Sequence, residues 1–220
     1  MTPSTKRALA TIAPLVLLSS QCFAFEAPLS DKTVREAYFL GQHHDASTQS
    51  ALKAYQHHLP APKSGPYISE IRVMTPFAQV VEASNALSAG YSAQQAAADY
   101  HSHADTIVVR FHIEFTASYG YIESDRDRAD LAAEKGISLR SEDFWQAFNT
   151  GLSQNDQWIE PLSREGEPIY SHSEDSGQMV GAYIWVTYDA HDVASAPATA
   201  EMFTPDGQHV TSTFDLATLR

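Results

Sequence analysis

Cysteine is almost missing from this 220-residue chain, with Cys22 its single example. Any portion lying beyond Cys22 can form no internal disulfide, so its stability must come from an ordinary hydrophobic core. An apolar content of 43% is enough to build one. Basic residues are scarce as well, 14 Lys and Arg against 27 Asp and Glu, for a formal net charge of −13. Such a surface repels phosphate backbones and anionic lipid heads, so nucleic acid is not an expected partner. No stretch supplies the roughly 18 uninterrupted apolar residues that a membrane-spanning helix needs. Also absent are the glycine-rich nucleotide loops, the HExxH zinc signature and the GxSxG nucleophile elbow. Beyond Cys22 there is no thiol nucleophile either. No cofactor is therefore expected, and the balance shifts from catalysis towards binding, although scattered residues can still assemble a site.

The N-terminus is the most informative segment. Lys6 and Arg7 precede an apolar run from Ala8 to Leu18, and the more polar Ser19–Ala24 follows. Charge, apolar stretch, then small residues at −3 and −1 is the layout of a secretory signal peptide. Cys22 and Ala24 occupy those two positions if cleavage falls before Phe25. The apolar run, about 11 residues or roughly 16 Å as a helix, is too short to span a bilayer. Lipidation of Cys22 is the competing reading, but Gln21 before it is not small. The expectation is export, to the periplasm or the medium. Loss of residues 1–24 leaves about 196 residues and, without Lys6 and Arg7, a charge of about −15.

Periodicity then predicts an α+β protein, helical at the front and mainly antiparallel β at the back, with a sandwich as one arrangement. The expected divisions are a signal peptide (1–24), a helical segment (25–65), an α+β region (66–155) and an antiparallel β region (156–220). Residues 66–220 could together form one domain. Ser30 caps a helix with Val34, Ala37, Tyr38 and Gly41 on one stripe. A second helix runs from about Asp45 to His58, and Pro60–Pro66 then breaks the chain. Tyr67 to Thr75 alternates as a strand, with Tyr67, Ser69, Ile71 and Val73 on one side. Thr75 and Pro76 open a helix, Gly90 stops it, and a capping box at Ser92 starts another. Thr106 to Phe115 is the clearest strand: Ile107, Val109, Phe111, Ile113 and Phe115 share one face, and Val108, Arg110, His112 and Glu114 the other. Ser141 should cap a helix ending at Gly151. Arg164–Pro168 reads as a turn and Met179–Tyr188 as a central strand. Thr204, Pro205, Asp206 and Gly207 form a turn, because Pro presets φ and Gly accepts a positive one.

Three constellations could carry chemistry. His101, His103 and Asp105, spaced HxHxD, resemble the core motif of the metallo-β-lactamase fold, whose His and Asp side chains hold zinc. The resemblance covers five residues, and the family's next His is Thr106 here. There the motif links a strand to a helix; in this chain it links a helix to a strand. The zinc candidates are thus His101, His103 and Asp105. The second constellation is His112 and Glu114, which share a strand face with Arg110 and form a candidate catalytic pair. Cross-strand charge pairing with Glu70 and Arg72 explains the same residues more simply. The third, Asp125, Asp127 and Asp130, loosely resembles a calcium loop. However, Asp130 and Gly136 stand where the EF-hand needs Gly and Glu.

The pairs His43/His44 and His57/His58 fall at opposite ends of one predicted helix and do not converge. Aromatic residues gather in the β half: Trp158, Tyr170, Tyr183, Trp185 and Tyr188. The expected function is a non-enzymatic exported protein that binds a partner protein or a polymer. The alternative is a small exported hydrolase built on a His/carboxylate site.

Overall fold

The computed structural model describes residues 25–63, 65–87, 90–116, 141–171 and 179–220. The signal-peptide segment and the Asp125–Asp130 motif lie outside the described residues. The fold is α+β, and among the described residues its α-helices fall in the front half: α1 (Asp31–Gln42), α2 (Ala46–Lys53), α3 (Pro76–Ala86) and α4 (Ala93–His101). Side chains cap each of them. Ser30 Oγ accepts from Thr33 N at 3.2 Å, Asp45 Oδ1 from Ser47 N at 2.8 Å, Thr75 Oγ1 from Ala78 N at 3.3 Å, and Ser92 Oγ from Gln95 N at 3.1 Å. Each bond occupies one amide that the first helical turn leaves without a partner. No helix among the described residues is long and apolar enough to cross a membrane.

The strands form two antiparallel sheets. The first contains β1 (Gln56–His58), β2 (Pro66–Met74), β3 (Thr106–Phe115), β6 (Ser163–Tyr170) and β7 (Met179–Asp189), in the order β1-β2-β3-β7-β6. The second contains β4 (Asn149–Gln154), β5 (Gln157–Ile159), β8 (Pro197–Phe203) and β9 (His209–Asp215), in the order β5-β4-β8-β9. Ile107, Val109, Phe111 and Ile113 of β3 share one apolar core with Leu152, Ala200, Met202 and Phe214 of the second sheet. Two sheets sharing a core in this way make a sandwich. The turn at Thr204–Gly207 is present as expected between β8 and β9, with Gly207 at φ +86°.

A second apolar cluster lies among the helices, where Leu29, Val34, Ala37, Phe77, Val80 and Val81 pack together. Gly41 allows α1 and α3 to cross closely, since a Cβ there would stand 2.5 Å from the Val81 carbonyl oxygen. The last residue joins the two clusters. The Arg220 carbonyl accepts from Tyr55 Oη at 3.1 Å, and its guanidinium lies 4.6 Å from the centre of the Phe77 ring.

Four sequence expectations are corrected. The second helix ends at Lys53 rather than His58, and Gln56–His58 become β1. There Arg72 donates to Gln56 Oε1 at 2.6 Å across the strand pair. Tertiary pairing overrides local helical preference at this point. Because β1 pairs with β2, the residues flanking Pro60–Pro66 belong to one sheet. The expected alternation of Tyr67–Thr75 is broken by a bulge at Ser69. The extra residue shifts the phase, so Ile68, Ile71 and Val73 all face the core while Glu70 and Arg72 remain outside.

The helix expected after Ser141 is a single 3₁₀ turn, Phe144–Ala147, and Gly151 lies within β4 instead of ending a helix. Trp158 explains that glycine: a Cβ on Gly151 would fall 1.8 Å from its ring. Arg164–Pro168 is not a turn but the middle of β6. Trp145 occupies the space a Cβ of Gly166 would need, and Arg164 donates to the carbonyls of Trp145 and Phe148. Pro168 is tolerated because β6 is an edge strand.

Candidate functional site

The outward face of the first sheet brings together more polar and aromatic chemistry than its neighbours in sequence suggest. Alternation along β3 turns Arg110, His112 and Glu114 away from the core. Register then fixes their companions. Arg110 faces Arg72 on one side and Trp185 on the other, His112 faces Glu70 and Tyr183, and Glu114 faces Tyr67. All are half-buried, so the side chains lie against one another rather than reaching into solvent.

Glu70 is the hub of the network. Its Oε1 accepts from Arg110 Nη2 at 2.8 Å and lies 3.5 Å from Arg72 Nε, and its Oε2 is 3.7 Å from His58 Nδ1. Arg72 also pairs with Glu82 of α3. Burial pushes the Glu70 carboxyl up, but the Arg110 hydrogen bond and the charges of Arg72, Arg110 and His58 outweigh it, so the group ends below its ordinary range.

The other half of the face is aromatic. The His112 ring lies 4.5 Å from Tyr183, the Arg110 guanidinium 5.1 Å from the centre of the same ring, and Trp185 5.5 Å beyond it. Each contact is worth about 0.5–1.5 kcal/mol beyond the area it buries. Together they hold a strip of planar groups in fixed orientations.

Within this face, His112 and Glu114 are neighbours without a hydrogen bond: Nδ1 lies 3.6 Å from Oε1. The other Glu114 oxygen accepts from Tyr67 Oη at 2.8 Å, and that contact raises the Tyr67 phenol. Burial lowers the pKa of His112, with the nearby carboxylates of Glu114 and Glu70 opposing it. The folded protein therefore resists protonating this ring. Stability from that source is present in full above the unfolded value of 6.5 and is lost as pH falls through the lowered folded value. Between about pH 7 and about pH 5 the wild type should lose more melting temperature than His112→Gln does, read by circular dichroism. Parallel losses in the two proteins would rule out the effect.

The HxHxD residues stand elsewhere, and each takes a different partner. His101 Nε2 lies 2.9 Å from Asp31 Oδ1, and His103 Nδ1 lies 2.7 Å from the Asp99 carbonyl. Asp105 accepts from the Tyr100 hydroxyl, which itself accepts from Leu29 N at 2.7 Å. Asp105 thus ties α4 to the chain before α1. It precedes β3, whereas His112 lies roughly 20 Å further along at ~3.3 Å per residue. Among the described residues, no group of three or more His, Cys, Asp or Glu side chains is arranged to hold a metal ion.

Of the histidine pairs, His57 Nδ1 lies 2.6 Å from Ser212 Oγ, and its ring stacks 4.2 Å from Phe214. The aromatic set divides: Tyr188 is buried in the core, Trp158 is 56% exposed on the other sheet, and Tyr183 and Trp185 lie on the face just described. Nothing in the sequence announced the joining of Tyr67 to Glu114 or of Arg110 to Tyr183. The only signal was strand alternation, and strand order supplies the rest. The chain matches no family model, no curated protein and no solved structure.

Proposed function

We propose that this is an exported, non-enzymatic binding protein whose outward sheet face holds a polyhydroxylated surface polymer. The carrying observation is the strip of Tyr183, Trp185, His112 and Arg110, planar groups packed side by side at 4.5 to 5.5 Å on one half-buried face. Aromatic rings offer flat apolar surfaces to the C–H faces of sugar rings, and adjacent carboxylates and guanidinium groups meet their hydroxyls. Charges on this face largely cancel: Glu70 and Glu114 stand against Arg72 and Arg110. A neutral chain suits that balance better than a polyanion. The leader of residues 1–24 supports export to where such polymers lie.

Affinity electrophoresis through gels containing neutral polysaccharides tests the reading. The wild type should be retarded, and Trp185→Ala should weaken retardation about tenfold, the scale of one lost aromatic contact. Trp158→Ala, on the opposite sheet, should leave it unchanged. Equal retardation of all three proteins, or none by any polysaccharide, would refute it. A second reading, a small hydrolase, rests on the His112 ring, its pKa lowered by burial, held 3.6 Å from Glu114. It requires soluble sugar products that disappear in His112→Ala.

A further inference from the structure

We propose that a cleft between α3 and α4, separate from the sheet face, binds a small organic cation with an apolar body. The cleft measures about 460 Å³, within the ~300–1,000 Å³ typical of small-molecule sites. Val80, Ala83, Leu87 and Ala96 give it apolar walls. On its polar side the phenols of Tyr91 and Tyr100 give their hydrogens to Asp99 and Asp105, and the groups left to meet a ligand are mainly acceptors.

Asp99 is the only carboxylate on the lining, and no Lys or Arg joins it among the described residues. Its Oδ1 accepts from Gln95 Nε2 at 2.7 Å and the carboxylate also takes a hydrogen bond from the Tyr91 phenol, which still leaves lone pairs for a ligand. The Tyr91 phenol is pushed up by burial and by the adjacent Asp99 carboxylate. Gln79 spends both amide hydrogens on the carbonyls of Met74 (3.2 Å) and Thr106 (2.7 Å), so only its Oε1 remains, an acceptor. His103 Nδ1 lies 2.7 Å from the Asp99 carbonyl, which can only accept, so Nδ1 carries a proton. In the neutral ring Nε2 is then a further acceptor.

An anion would meet Asp99 and find few donors. A neutral apolar molecule would leave these acceptors desolvated and unpaired. An ammonium group satisfies them, and the aromatic rings of Tyr91 and Tyr100 belong to the same lining. The cleft is also fixed in advance, since Tyr38 Oη donates to the Tyr91 carbonyl at 2.9 Å and Tyr100 is held by Leu29 and Asp105. A formal charge of −13 further favours a cationic ligand.

Isothermal titration calorimetry on the full chain with phenylbutylammonium, phenylbutyl alcohol and phenylpentanoate tests this. Saturable binding is expected for the ammonium, weaker binding for the alcohol and none for the carboxylate. Asp99→Asn should weaken the ammonium about tenfold or more, as loss of a charge-assisted hydrogen bond does. Ala83→Trp fills the cleft from an exposed position on α3, so it should abolish binding without lowering the melting temperature. Equal binding of the three probes, unchanged affinity in Asp99→Asn, or no saturable heat with any probe would overturn the proposal. Trp185→Ala should leave this binding intact, which separates the cleft from the sheet face.

Discussion

Phe111→Ala should cost about 3–5 kcal/mol of folding stability, while His112→Ala beside it should cost about 1 kcal/mol. Phe111 is fully buried in a central strand and belongs to the core shared by the two sheets. Removing its ring takes away the transfer free energy of the lost atoms and leaves a cavity that β7 and the second sheet can fill only in part. The adjacent His112 points the other way and keeps 21% of its side chain exposed. Its truncation removes the contact with Tyr183 and opens no internal void. Urea unfolding at constant slope measures both. A loss at His112 equal to that at Phe111 would mean the outer face is as tightly packed as the core, and would remove the docking surface.

This contrast also marks how far the sequence could be read. The alternation of β3 is legible because ten residues repeat with period two, and the observed strand spans the expected Thr106–Phe115. Helix starts were legible at Ser30, Asp45, Thr75 and Ser92, since a cap acts within four residues. Reading failed wherever a distant side chain decided the local form. Gly151 looked like a helix stop because the Trp158 ring that requires it comes from the next strand. Gly166 looked like a turn for the same reason, its Cβ space being taken by Trp145. The bulge at Ser69 left no local sign, yet it puts Ile68 in the core and moves Ser69 off the core face.

The two candidate surfaces show the same division. His112, Glu114 and Arg110 were visible as a set because one strand carries them. Their partners Glu70, Tyr67, Tyr183 and Trp185 come from two other strands, and only register brings them close. The cleft was harder still. His103 stood out for its spacing to His101 and Asp105, but its role follows from which nitrogen faces the Asp99 carbonyl. Sequence spacing suggested a shared metal ion; hydrogen-bond geometry sends the three side chains to three separate partners.

Glu70→Ala should destabilise the protein by about 2–3 kcal/mol at neutral pH, because it leaves two half-buried cations without their shared anion. Arg110 and Arg72 keep only 21% and 16% of their side chains exposed, and the Nε of each lacks a hydrogen-bond partner among the described residues. Arg72 retains Glu82 and Gln56, whereas among the described residues Arg110 would retain only the Tyr183 ring. Arg110 should therefore carry most of the loss. Removing it as well, in Glu70→Ala/Arg110→Ala, should restore part of the stability, since the uncompensated charge goes with it. The pH dependence has a defined sign. The Glu70 carboxyl lies below its ordinary value of 4.5, so its contribution is present above that value and lost as pH falls through the lowered folded one. The gap between wild type and Glu70→Ala should thus be full near neutrality and close in acid. Strictly additive single and double variants, or a gap that does not narrow at all as the pH is lowered into the acid range, would show that the carboxylate does not hold this face together.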